Sequence, residues 1–165
     1  MHEMEKLERS DLETWSAVTS VHRASEIVRA TPEQVFDVLE DAEAWTRWVL
    51  PITDVEWTSP FPLGEGSTRT VTMWGGLVAE EAFLVYERPH RMAFRFDRAS
   101  KPVADAFAED YRVTPLDDDR CVVDWTMGLS PAGAGAKAAS VTAPVMTAGL
   151  RFMLGRLRRE VERHR

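Results

Sequence analysis

A single cysteine, Cys121, leaves this sequence without an internal disulfide and without the thiolate pairs of a structural zinc site. It stands in an apolar, strand-like run, where a small buried side chain is expected. No apolar run approaches the roughly 18 residues of a membrane-spanning helix. Positive charge is short as well: 20 Lys and Arg stand against 27 Asp and Glu, for a net charge of −7. Nucleic acid needs a basic face, so it is not an expected partner. The exception is 151–165, with six Arg against two Glu. That stretch reads as a solvated helix face or as a docking site for the acidic first sixteen residues or an acidic partner. The start, Met1-His2-Glu3-Met4-Glu5, is acidic where a signal peptide is basic, and no apolar core follows. A cytoplasmic location is the expectation. Nucleophile motifs are missing: Gly128-Leu129-Ser130-Pro131-Ala132-Gly133 is no Gly-x-Ser-x-Gly elbow. Gly64-Glu65-Gly66 lacks a third glycine and opens no helix, so it reads as a loop and not a dinucleotide site. His2, His22, His90 and His164 are scattered, and Asp117-Asp118-Asp119 reads as a turn. Neither a metal nor a cofactor is expected.

What is present is a core-forming chain with six tryptophans in 165 residues. Its length suits one domain. Residues 1–17 read as an N-terminal arm or short helix carrying Trp15, and 18–165 as a single domain. Thr31-Pro32-Glu33 is a helix start, with a capping hydroxyl, proline in the first turn and an acid behind it. A second short helix, Ala42 to Trp48, ends before Pro51. Beyond Pro51 the apolar period falls to two, and six strands follow, joined by short turns such as Gly75-Gly76. Strands so closely joined must be antiparallel, because parallel crossovers need a dozen or more residues. The last element is a long helix. Met146, Leu150, Met153, Leu157 and Val161 make one apolar stripe along it, and Pro144 predicts a kink or break. The class is α+β, with the helix covering the apolar face of the sheet.

Strand parity selects the candidate site. Arg69 shares a side with Val71 and Met73, and Glu81 shares one with Ala79 and Phe83. A tight hairpin joins the two strands, so Arg69 and Glu81 are candidates for a polar pair that orients a ligand oxygen. An ion pair at the sheet rim, or a register that turns both to solvent, fits the same spacing. Trp57, Phe83, Phe94, Phe96, Tyr111, Trp125 and Met127 have inward parity, facing Met146, Leu150 and Met153 of the long helix. They would line an apolar ligand site or simply fill the core.

The order of elements, together with several strings, resembles the polyketide cyclase/dehydrase branch of the Bet v 1-like, START-related (SRPBCC, helix-grip) superfamily over roughly residues 20–163. The strings are Ala30-Thr31-Pro32-Glu33-Gln34-Val35-Phe36, Asp41-Ala42-Glu43-Ala44-Trp45, Leu63-Gly64-Glu65-Gly66-Ser67-Thr68-Arg69 and Glu87-Arg88-Pro89-His90-Arg91-Met92. The resemblance implies a seven-stranded antiparallel sheet curved around the C-terminal helix, with an apolar cavity between them. It implies a hydrophobic small-molecule ligand, polyketide-like, polycyclic or lipid-like. The superfamily contains cyclases, carriers and receptors, so it leaves open a cyclase or dehydratase or a carrier without turnover, while the basic stretch 151–165 and the acidic arm leave open a protein-interaction module. Where aromatase/cyclases of this family carry a cavity Tyr and a cavity Arg, this sequence has Ile52 and, on the strand 78–87, Leu84 or Val85.

Overall fold

The computed structural model describes residues 11, 13–132 and 135–165, and of 135–142 only the backbone. Strand β1 (Ser20–Val28) is followed by α1 (Pro32–Glu40) and α2 (Ala42–Trp48). Six strands follow: β2 (Ile52–Trp57), β3 (Thr68–Met73), β4 (Leu77–Glu87), β5 (Arg91–Ala99), β6 (Ala104–Pro115) and β7 (Cys121–Pro131). Helix α3 (Gly135–Arg163) closes the described chain. One antiparallel sheet holds all seven strands in the order β1-β7-β6-β5-β4-β3-β2.

Local chemistry sets the boundaries. Thr31 accepts from the Gln34 amide, and the Gln34 side chain accepts from the Thr31 amide, so two orphan donors of α1 are satisfied. Asp41 caps α2 through the Glu43 amide. Gly75 and Gly76, at φ 74° and 72°, turn β3 into β4 in the left-handed backbone that glycine adopts without strain. Helix α3 lies against β1 and α2, burying Leu150, Leu154, Leu157 and Val161. It runs through Pro144 as one continuous helix, so of the expected kink or break the break does not occur. Proline removes one hydrogen bond and crowds one turn. Burial of the turns that follow outweighs that loss.

The charged segments also find partners other than each other. Residues 13–17 are helical and lie on the outer face of the sheet. Asp11 pairs with Arg91 at 3.7 Å, Thr14 bonds Arg95, and the Ser130 hydroxyl donates to the Ala17 carbonyl at 2.8 Å. Gly128 makes room there: a Cβ on it would stand 2.8 Å from the Trp15 ring. Docking of the arm on the basic stretch is therefore not seen among the described residues; residues 1–10 and 12 lie outside them. Two arginines of α3 turn to the body instead. Arg156 donates to the Arg47 carbonyl and Arg158 pairs with Glu26 at 2.7 Å. Arg163 pairs with Glu160, and Arg165 donates to the Arg29 carbonyl. Among the described residues no helix is long and apolar enough to cross a membrane.

Candidate functional site

A cavity of about 280 Å³ opens between the concave face of the sheet and α3. Phe94 and Phe96 of β5, Trp125 and Met127 of β7, and Met146, Leu150 and Met153 of α3 line it, all from the candidate set. Trp57, Phe83 and Tyr111 stand behind the wall. Phe83 packs between Trp57 and Phe94, at ring separations of 5.2 and 5.0 Å. The Trp57 indole donates to the Glu40 carbonyl at 2.8 Å, which draws the ring toward the end of α1. Tyr111 is stacked between Phe94 and Trp125.

Arg69 and Glu81 are register partners on β3 and β4, and both line the cavity. The Arg69 Nε donates to Glu81 Oε2 at 2.5 Å, with side chains 1% and 4% exposed. The pair is therefore neither at the rim nor in solvent. Register explains the burial: Trp57, Arg69, Glu81 and Phe96 form one row across four strands. The guanidinium carbon lies 4.1 Å from the Trp45 ring centre and 4.5 Å from that of Phe94, with Phe83 and Trp57 just beyond. Aromatic faces replace part of the water that the cation loses. Burial raises the Glu81 pKa, and the Arg69 charge pulls in the other direction.

The same face carries a third ionisable group. Glu109 on β6 pairs in register with Phe94 and Met127, lines the cavity and is buried. Burial pushes its pKa up to about 8; the Tyr111 hydroxyl, which donates to Oε2 at 2.6 Å, offsets part of that rise. Glu81 adds to the rise and Arg69 opposes it. The Trp125 indole pulls with Arg69 without closing a well-formed hydrogen bond. Burial and Glu109 together hold the Tyr111 phenol well above its usual range. Near neutral pH the Glu109 carboxyl is therefore largely protonated beside the Arg69–Glu81 contact.

Sequence reasoning missed Glu109, although its signal was present: it shares parity with Phe107, Tyr111 and Val113. Trp45 was also missed as a cavity residue. It sits on α2, where strand parity has no meaning, and its indole N–H is anchored on the Leu39 carbonyl at 2.8 Å. Ile52 lines the cavity too. Among the described residues no group of three His, Cys, Asp or Glu is placed to hold a metal ion.

Glu109 makes stability depend on pH. Between 4.5, the ordinary value, and about 8, the folded chain keeps a proton that the unfolded chain releases. The stability it contributes is complete below that window and is lost as pH rises through it. The Glu109 share of the slope reaches at most about 1.4 kcal/mol per pH unit. Urea unfolding of Glu109→Gln at pH 5 to 9 is expected to lack this slope, so the variant gains on the parent as pH rises. Parallel curves would show that Glu109 is ionised in both states.

A family model described as polyketide cyclase / dehydrase and lipid transport matches residues 18–162. An uncharacterized protein of Mycobacterium tuberculosis is 48% identical over 129 residues, 78% of this chain and 77% of that relative. The Zhui aromatase/cyclase of a Streptomyces species superposes with a TM-score of 0.67 at 17% identity, covering 87% of this chain and 94% of the other. A START superfamily protein of Mycobacterium smegmatis gives 0.63 at 15% identity, covering 84% and 97%. At these identities the two structures establish the shared helix-grip fold and nothing finer.

Proposed function

This chain belongs to the polyketide cyclase / dehydrase and lipid transport family, and on that premise we propose that its cavity binds a flat, apolar small molecule with one oxygen turned toward Arg69. The observation that carries the reading is a buried ion pair in the wall of an apolar cavity. A buried pair is costly, and hydrophobic residues of similar volume would fill a core at least as well. Its placement where a ligand would lie points to recognition. Apart from Arg69, Glu81 and Glu109 the lining is apolar or aromatic, which suits a polycyclic or polyketide-like body. The same lining supports a second reading, a carrier without turnover.

Burial of about 300 Å² of ligand surface supplies roughly 7 kcal/mol before association costs, so a probe for which the site was not built binds at micromolar levels. The test compares 2-acetylnaphthalene with 2-isopropenylnaphthalene, in which a methylene replaces the carbonyl oxygen. Both are titrated against tryptophan fluorescence. A hydrogen bond from a charged donor makes the ketone about ten- to a hundredfold tighter. Equal affinities would remove the oxygen contact. Silence from both probes at tens of micromolar would reduce the cavity to imperfect core packing.

A further inference from the structure

Two buried donors in the cavity wall lack partners. Arg69 uses Nε on Glu81, while its Nη1 has no hydrogen-bond partner among the described residues; the same holds for the Trp125 Nε1. Both residues line the cavity, and so does Glu109. One Glu109 oxygen is taken by Tyr111, and no hydrogen bond to the other is seen among the described residues. A buried N–H without an acceptor is a standing cost that a ligand oxygen removes. The three side chains come from β3, β6 and β7 and border the same cavity.

Resting on the ligand reading above, we propose that Glu109 removes and returns the proton α to the carbonyl of a bound flat ketone, whose oxygen is held by Arg69 Nη1 and Trp125 Nε1. In the forward step the Glu109 carboxylate takes the α-proton. The C–H electron pair becomes the C=C bond, and the carbonyl π pair moves onto oxygen, where the two N–H donors stabilise it. In the return step the carboxyl gives a proton back to carbon and the ketone re-forms. No oxidant, reductant or co-reactant is needed, and the net result is exchange of the α-hydrogen with solvent. A carboxyl raised to about 8 is a stronger base than an ordinary carboxylate and is still ionised in part near neutrality. Besides burial, the groups that set its charge are Tyr111 on β6, Glu81 on β4, Arg69 on β3 and the Trp125 indole on β7. The lining residues of β5, β7, α2 and the described side chains of α3 add no charge.

The test is proton NMR of 2-tetralone, a flat bicyclic ketone with acidic benzylic α-protons, incubated with the full chain in deuterated buffer. Binding is followed in parallel by tryptophan quenching. Exchange is expected to run at least about a hundredfold above buffer, the usual scale of general base catalysis, and to rise with pH through about 8. Glu109→Gln is expected to bind the ketone as well as the parent and to exchange within about threefold of buffer. Trp125→Phe keeps an aromatic ring but loses the N–H and part of the buried indole, so it is expected to slow exchange, and quenching of the remaining tryptophans shows whether the ketone still binds. If tetralone quenches the tryptophans and still exchanges at the buffer rate, proton transfer is overturned while binding stands. Exchange by Glu109→Gln at the parent rate overturns Glu109 as the base. If tetralone does not bind at all, the ligand reading fails and this one fails with it.

Discussion

Arg69→Met is expected to lose about 3–5 kcal/mol of unfolding free energy, the cost of leaving one charge of a buried pair without its partner. The parent pair is a 2.5 Å contact between side chains only 1% and 4% exposed. With the guanidinium gone, Glu81 must stay charged in an aromatic pocket or take up a proton. In Arg69→Met the Glu81 pKa rises further, so part of the lost stability returns as pH falls. The double variant Arg69→Met/Glu81→Met has no charge to strand there. It is expected to recover most of the loss and to match or exceed the parent, because two apolar side chains suit that row of the sheet better than an ion pair does. Urea unfolding of the four proteins closes a double-mutant cycle. If both single variants cost under about 1 kcal/mol, the pair is screened like a surface bridge and the closed cavity is wrong. The double variant also separates folding from recognition: it keeps the fold and is expected to lose the preference for a ketone over its hydrocarbon isostere.

Gly149→Leu is expected to abolish ligand binding while leaving the fold intact or strengthening it. Gly149 lies inside α3 and lines the cavity, and a Cβ placed on it meets nothing within 4 Å. Three residues beyond Met146 and four before Met153, it falls on the helix face that looks into the cavity. A leucine there projects into the space that the ligand would occupy. Replacing a mid-helix glycine with leucine also contributes roughly 0.5–1 kcal/mol of helix propensity. The melting temperature should hold or rise, and affinity for 2-acetylnaphthalene should fall at least about a hundredfold, since the filled volume removes much of the apolar contact. Full retention of binding by a folded Gly149→Leu would place the ligand elsewhere. Loss of binding together with loss of folding would instead show that α3 tolerates no side chain at this position.

The sheet was legible because the alternation of its strands is regular. Val71 and Met73 on β3, and Cys121, Val123, Trp125 and Met127 on β7, carry a period of two that only a half-buried strand explains. Short turns between consecutive strands left antiparallel pairing as the only route. The cap at Thr31 and the stripe along α3 were written in the same local terms. Pro144 was not, because a missing hydrogen bond is local while the burial that outweighs it comes from β1 and α2.

Local pattern likewise determined that Arg69 and Glu81 stand opposite each other and that aromatic side chains share their face. It could not determine which aromatics border empty space. Phe83 and Phe94 have the same parity, yet only Phe94 reaches the cavity, because Trp57 is drawn toward α1 and covers the Phe83 ring. Trp45 reaches the guanidinium from a helix whose position depends on how α2 seats against the sheet. The chemistry of Glu109 is the clearest case. Its side of the strand can be read from Phe107 and Tyr111, but its charge cannot, since a carboxyl's pKa follows from solvent removed and charges brought near. Both come from four other strands and a helix far away in the chain. Periodicity fixes which way a side chain points; desolvation and the neighbours it meets exist only once the sheet has closed on α3.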